Sequence, residues 1–158
     1  MHLTVIRHAK AIAREKWHHD DADRPLTKDG IAQAETAFRL LLGCVGITEV
    51  WTSPWVRARQ TAEIACEIWN LPLREVDWLA GNGTAPGDWP GLLPKKGDVA
   101  LVGHEPDLGI LLGMLLGGGR PLPLKKGGVA LLEGPDLGHL TLQQLLSPKL
   151  LSAVAENA

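Results

Sequence analysis

The 158-residue sequence predicts an α/β domain with a mostly parallel central sheet flanked by helices. Three observations carry this. Apolar and β-branched residues run without interruption at Leu3 to Ile6, Val50 to Thr52 and Val99 to Val102, as in strands buried on both faces. Between them lie stretches with apolar residues three or four apart, the spacing of crossover helices. Histidine or arginine stands at or just past the end of each run, where parallel strands open onto a ligand crevice.

Taken in order, the first strand runs into Arg7-His8. Residues 9–26 then form a polar loop centred on Trp17-His18-His19-Asp20-Asp21. That run lacks the helical spacing or cysteine partners of a metal site and reads as solvated. Thr27 is a good N-cap for a helix over 27–42, with Ile31, Ala34, Phe38, Leu41 and Leu42 on its apolar face and Gly43 as its stop. After the second strand, Ser53-Pro54 reads as N-cap and first residue of a helix running to about Trp69. Val56, Ala62, Ala65, Ile68 and Trp69 lie near one face of it, and Arg57 in its first turn. A cation there opposes the helix dipole unless it and the free amides address one bound anion.

Residues 73–79 read as a third strand, and glycine and proline crowd 80–97, where a substrate lid or a degenerate helix would sit. The fourth strand ends in Gly103-His104-Glu105-Pro106-Asp107, with Asp107 capping a helix to about Leu116. Val129 to Leu132 and the alternating Leu140, Leu142 and Leu145 predict a closing hairpin-like pair and a mixed sheet edge. Pro148 opens a last helix to about Glu156. No repeat or boundary divides residues 1–158, which read as one domain.

A net charge of −2 gives no electrostatic case for nucleic acid. The apolar opening is short and broken by Arg7, and the longest apolar run, near 108–116, is too short to span a bilayer. Neither a leader nor a membrane segment is expected. Cys44 and Cys66 lack metal-type spacing and read as reduced core thiols, with a cytoplasmic setting as the expectation.

Arg7, His8 and His104 sit at strand ends, and Arg57 lies one step past another. Guanidinium groups hold phosphate oxygens in forked geometry. A neutral imidazole nitrogen attacks phosphorus and splits one displacement into two, while neighbouring arginines keep it unprotonated. A second histidine can donate to a phosphoryl oxygen. No metal or cofactor is expected, because the arginines neutralise the phosphate.

Arg7-His8-Ala9, Ser53-Pro54-Trp55-Val56-Arg57-Ala58-Arg59-Gln60-Thr61-Ala62 and Val102-Gly103-His104-Glu105-Pro106 resemble the histidine phosphatase superfamily, in its phosphoglycerate-mutase-like branch 1. Arg-His-Ala-Lys-Ala at 7–11, Asp23-Arg24-Pro25-Leu26-Thr27 and Val-Gly-His-Glu-Pro-Asp-Leu at 102–108 look like the small SixA-type phosphohistidine phosphatases. The resemblance implies a three-layer sandwich of phosphoglycerate-mutase type. It makes His8 the phosphorylated nucleophile and Arg7, Arg57 and His104 the rest of the phosphate pocket. Arg24 follows by its setting alone, as a phosphate or substrate contact. The implied partner is a phosphohistidine-bearing signalling or phosphotransfer protein, or else a small phosphorylated molecule.

One departure bears on the substrate. Ester-cleaving members of the family carry a glutamate after the third strand as general acid. Here that place reads Trp78-Leu79-Ala80-Gly81-Asn82-Gly83. General acid help is typically worth about 10²–10⁴-fold, and an imidazole leaving group needs less of it than an alkoxide. Phosphohistidine is therefore the expected substrate. A small-molecule phosphomonoesterase with Asp88 or Glu105 as acid is the alternative, and a phosphate-binding module without turnover is the reading outside enzymes.

Overall fold

The computed structural model describes residues 1–95 and 97–158. Its elements are β1 (His2–Arg7), α1 (Lys28–Leu40), β2 (Glu49–Thr52), α2 (Val56–Trp69), β3 (Leu73–Glu75), β4 (Val99–Gly103), α3 (Asp107–Leu115), β5 (Val129–Glu133), β6 (Thr141–Leu146) and α4 (Pro148–Glu156). Among the described residues the strands form one sheet in the order β3-β2-β4-β1-β5-β6. β1 is parallel to β4, with Arg7 opposite Gly103, and β2 is parallel to β4 and β3. The closing pair is antiparallel as expected: β5 runs against both β1 and β6.

Side-chain alternation along the strands divides the core into two layers. Ile6, Val50, Ala100 and Val102 pack with Phe38 of α1, Ala62 and Trp69 of α2, and Leu151 of α4. Leu3, Val5, Val99 and Leu101 pack on the opposite face with Leu108, Leu111 and Leu112 of α3 and with Trp89. Crossovers that follow β1 and β2 thus cover one face, and those around β4 cover the other. The crevice lies beyond the carboxyl ends of β1 and β4, where the winding changes sides.

Three expectations need correction, and one pair of alternatives is decided. The third strand stops at Glu75, and Asp77–Ala80 is a 3-10 turn. Val76 and Leu79 are its buried contacts, three apart, which is the 3-10 period and not that of a strand. Of the two readings of the 80–97 stretch, the degenerate helix is the one found: Pro86–Leu92 is a 3-10 segment and Trp89 is fully buried, its indole N–H donating to the Thr84 carbonyl at 3.2 Å. Lys96, within that stretch, lies outside the described residues. α1 ends at Leu40, so Leu42 is exposed. Cys44 is also exposed and Cys66 only half-buried, so neither is a full core thiol. Among the described residues no helix is long and apolar enough to cross a membrane.

The 9–26 loop is pinned to α1 by a close backbone approach. Thr27 donates its N–H to the Lys10 carbonyl at 3.0 Å, and its hydroxyl caps α1 by accepting from Gly30 at 3.0 Å. A Cβ on Gly30 would collide with the same Lys10 carbonyl, so α1 reaches the loop only with glycine there.

Candidate active site

Pairing of β1 on both sides continues past its end. Arg7 donates its backbone N–H to Gly128 at 3.1 Å and His8 donates to Gly103 at 3.0 Å. The His8 imidazole is buried, and its Nδ1 lies 2.8 Å from the Ala9 carbonyl. A carbonyl only accepts, so Nδ1 carries the hydrogen and Nε2 presents its lone pair. Arg57 Nε donates to that Nε2 at 3.3 Å. His104, from the end of β4, brings its ring centroid to 5.2 Å from that of His8.

The second helix starts later than its residues suggest. α2 begins at Val56, and Trp55 occupies the cap position without a side-chain bond. Ser53 is drawn away from capping by its place in the site. Its buried Oγ lies 2.8 Å from His104 Nε2 and accepts from the Trp55 N–H at 3.2 Å. Arg57 is nevertheless in the first turn, and buried rather than solvated. Its guanidinium carbon lies 4.7 Å from the Trp55 ring centroid, and the same ring lies 5.0 Å from His104. Thr61 ties the first strand to α2, accepting from the Ala9 N–H at 3.0 Å and donating to the Arg57 carbonyl at 2.7 Å.

Asp21, expected in a solvated loop, instead reaches the arginines. Its Oδ2 lies 3.2 Å from Arg57 Nη2 and 3.4 Å from Arg14 Nη1, and its Oδ1 accepts from Arg24 Nε at 2.8 Å. Its carbonyl accepts from Arg57 Nη1 at 2.7 Å. Arg24 is further occupied by the Ile12 carbonyl at 2.7 Å, so it braces the loop as well as lining the site. Arg7 donates to the Leu124 carbonyl at 2.9 Å. Its buried Nε, like His104 Nδ1, has no hydrogen-bond partner among the described residues. Buried donors and acceptors without a partner are costly, and both of these belong to residues that line the same cavity.

Burial sets the charge state of the imidazoles. Desolvation, reinforced by the charges of Arg57 and Arg7 and outweighing the Ala9 hydrogen bond, pulls His8 down to about 3 from an ordinary 6.5. Desolvation and Arg57 bring His104 to about 3 as well, against the opposing charge of Asp21. Burial also lowers Arg7 and Arg57, opposed by Glu105 and Asp21 respectively. Burial pushes the Asp21 carboxyl up, but the Arg24 hydrogen bond and the surrounding arginine charges outweigh it and hold Asp21 below its ordinary range.

These charge states have measurable consequences. An unfolded chain protonates its histidines near 6.5, whereas the folded site resists to about 3. The unfolded state therefore binds more protons between those values, and stability falls as pH falls through that window. Ring-nitrogen NMR should show neither imidazole charging above roughly pH 4; a His8 midpoint near 6.5 would contradict the neutral, ready Nε2. Asp21 competes with any bound anion for Arg57. Asp21→Asn should tighten inhibition by inorganic phosphate about fivefold, the effect of roughly 1 kcal/mol from one nearby charge. Weakened inhibition would mean that Asp21 serves only to hold Arg57 in position.

Arg7, His8, Arg24, Arg57 and His104 all line one cavity of about 420 Å³, together with Arg14, Asp21, Trp55, Ala80, Glu105, Asp107 and Lys126. A larger cavity of about 470 Å³, beside His2 and Leu131, contains none of the five. Asp88 is exposed and does not line the site. Glu105 does line it, but its oxygens accept from the Leu124 and Gly109 N–H groups at 2.8 and 3.2 Å. Glu105 thereby takes over the capping expected of Asp107, which is instead the first residue of α3. Among the described residues no His, Cys, Asp and Glu side chains gather in threes as metal ligands.

The family model for the histidine phosphatase superfamily (branch 1) matches residues 3–96, which include Arg7, His8, Arg24 and Arg57. A curated but uncharacterised protein of Picosynechococcus sp. is 36% identical over 140 residues, 82% of each chain. Among solved structures, the protein histidine phosphatase SixA complexed with tungstate aligns with a TM-score of 0.78 at 26% identity, covering 94% of this chain and 98% of that one. A putative phosphohistidine phosphatase SixA from Agrobacterium tumefaciens has the same fold, with a TM-score of 0.77 at 24% identity over 93% and 97% of the two chains.

Proposed function

The chain belongs to branch 1 of the histidine phosphatase superfamily, and on that premise we propose that it dephosphorylates phosphohistidine on a signalling or phosphotransfer protein through a phospho-His8 intermediate. The phosphoryl oxygens enter between Arg7, Arg57 and His104. Nε2 of His8 attacks phosphorus as the bond to the substrate imidazole breaks. Water then attacks phospho-His8, releasing phosphate and restoring the imidazole. Charge that builds on the equatorial oxygens meets donors already in place, and such preorganised stabilisation usually outweighs every other source of rate in this kind of catalysis.

The observation that carries this reading is the state of His8. Its Nδ1 is engaged by Ala9, and its neutral Nε2 faces a buried arginine in the cavity. The wall after β3 adds to it, since Ala80 there supplies no proton donor. An imidazole leaving group, which departs with less help than an alkoxide, needs no donor at that turn. The test is acid-quenched labelling with a phosphohistidine protein as substrate. Label on His8, with faster turnover of phosphohistidine than of simple phosphomonoesters, is expected. No label on His8 from any phosphorylated substrate would overturn the mechanism, and esters turned over equally fast would overturn the specificity.

A further inference from the structure

Alkoxide expulsion from a phosphomonoester requires a proton donor at the cavity wall, and three acidic residues line it: Asp21, Glu105 and Asp107. Two of them are committed elsewhere. Asp21 lies within hydrogen-bonding or ion-pair distance of Arg24, Arg57 and Arg14 and is held ionised. Glu105 spends both oxygens on backbone amides of Leu124 and Gly109.

Asp107 is different on each count. It is half-buried, and its carboxyl makes no hydrogen bond or ion pair among the described residues. It stands three residues past His104, so it enters the cavity from the end of β4. Its Oδ2 lies against the Ala80–Gly81 turn, where a Cβ on Gly81 would sit 3.6 Å away. Glycine there, with φ +77°, leaves that side of the carboxyl uncovered. As the first residue of α3, Asp107 would ordinarily favour the anion, yet burial pushes its carboxyl above the usual range. An arriving phosphoryl dianion adds to that push.

We propose that Asp107 is the proton donor to the leaving group, and that this site therefore hydrolyses phosphomonoesters of alcohols as well as phosphohistidine. The proposal rests on His8 being the nucleophile. In the first step the P–N bond to His8 forms and the ester P–O bond breaks, while the Asp107 proton passes to the departing oxygen, giving a neutral alcohol. In the second, the Asp107 carboxylate takes a proton from water as its oxygen attacks phospho-His8. Phosphate and the protonated carboxyl result.

The experiment compares Asp107→Asn with the unmodified chain on an alkyl phosphate and on 4-nitrophenyl phosphate, whose leaving group needs little protonation. Turnover of the alkyl ester should fall about 10²–10⁴-fold, the usual worth of a general acid, and at least tenfold more than that of the aryl ester. Both rates come from one sample, so their ratio is independent of how much protein is folded. An unchanged ratio would overturn the proposal, as would an unmodified chain that turns over the aryl but not the alkyl ester. Failure of His8 to be labelled by any substrate is a separate result, which removes the nucleophile reading itself.

Discussion

His8→Ala is expected to abolish turnover while leaving the fold intact. The imidazole contributes one hydrogen bond to Ala9 and receives one from Arg57, and it belongs to neither apolar layer of the core. Its loss therefore removes little packing. With no nitrogen to accept the phosphoryl group, the two-step route disappears. Nucleophile removal in covalent enzymes costs on the order of 10⁶-fold in kcat, so activity should drop below detection while thermal unfolding stays cooperative. Near-normal turnover would end the covalent mechanism.

Arg57→Lys is expected to cost about 10²–10³-fold in kcat/KM, the scale seen when one transition-state donor is lost. Charge is conserved in this change and geometry is not. Arg57 directs Nε to His8, Nη1 to the Asp21 carbonyl and Nη2 to the Asp21 carboxylate, and it lies over the Trp55 ring. A lysine ammonium is a point charge on a flexible stem and cannot reproduce that planar fork. Inhibition by inorganic phosphate should weaken in parallel. A lysine variant within a few-fold of the original would show that net charge alone suffices.

Much of the fold and four of the site residues were legible in the sequence. Arg7, His8 and His104 end strands recognisable from their apolar runs, and Arg57 follows a serine-proline helix start. Local pattern and chain direction placed them at one edge of the sheet. Asp21, Ser53 and Asp107 were visible only in their local roles, as loop and capping residues. Asp21 was diverted by Arg57 and Ser53 by His104, both distant in sequence, while Glu105, held by the distant Leu124, took the capping role of Asp107. No periodicity encodes such meetings. The shortened third strand shows the same limit, because Val76 and Leu79 satisfy an apolar pattern that only packing resolves into a 3-10 turn. Trp55 and Thr61 were legible as members of a motif, without the contacts that give them their places.

β1 is paired along its length on both sides, parallel to β4 and antiparallel to β5. Its amides Val5 and Ile6 have no sheet edge from which to fray, so their hydrogen exchange requires opening of the whole sheet. The nucleophile is thus mounted at the end of a strand paired on both sides, whereas Asp21 and Arg24 sit on a loop outside the sheet. Local opening of that loop would free Arg57 from Asp21 before it disturbed the atom that attacks phosphorus.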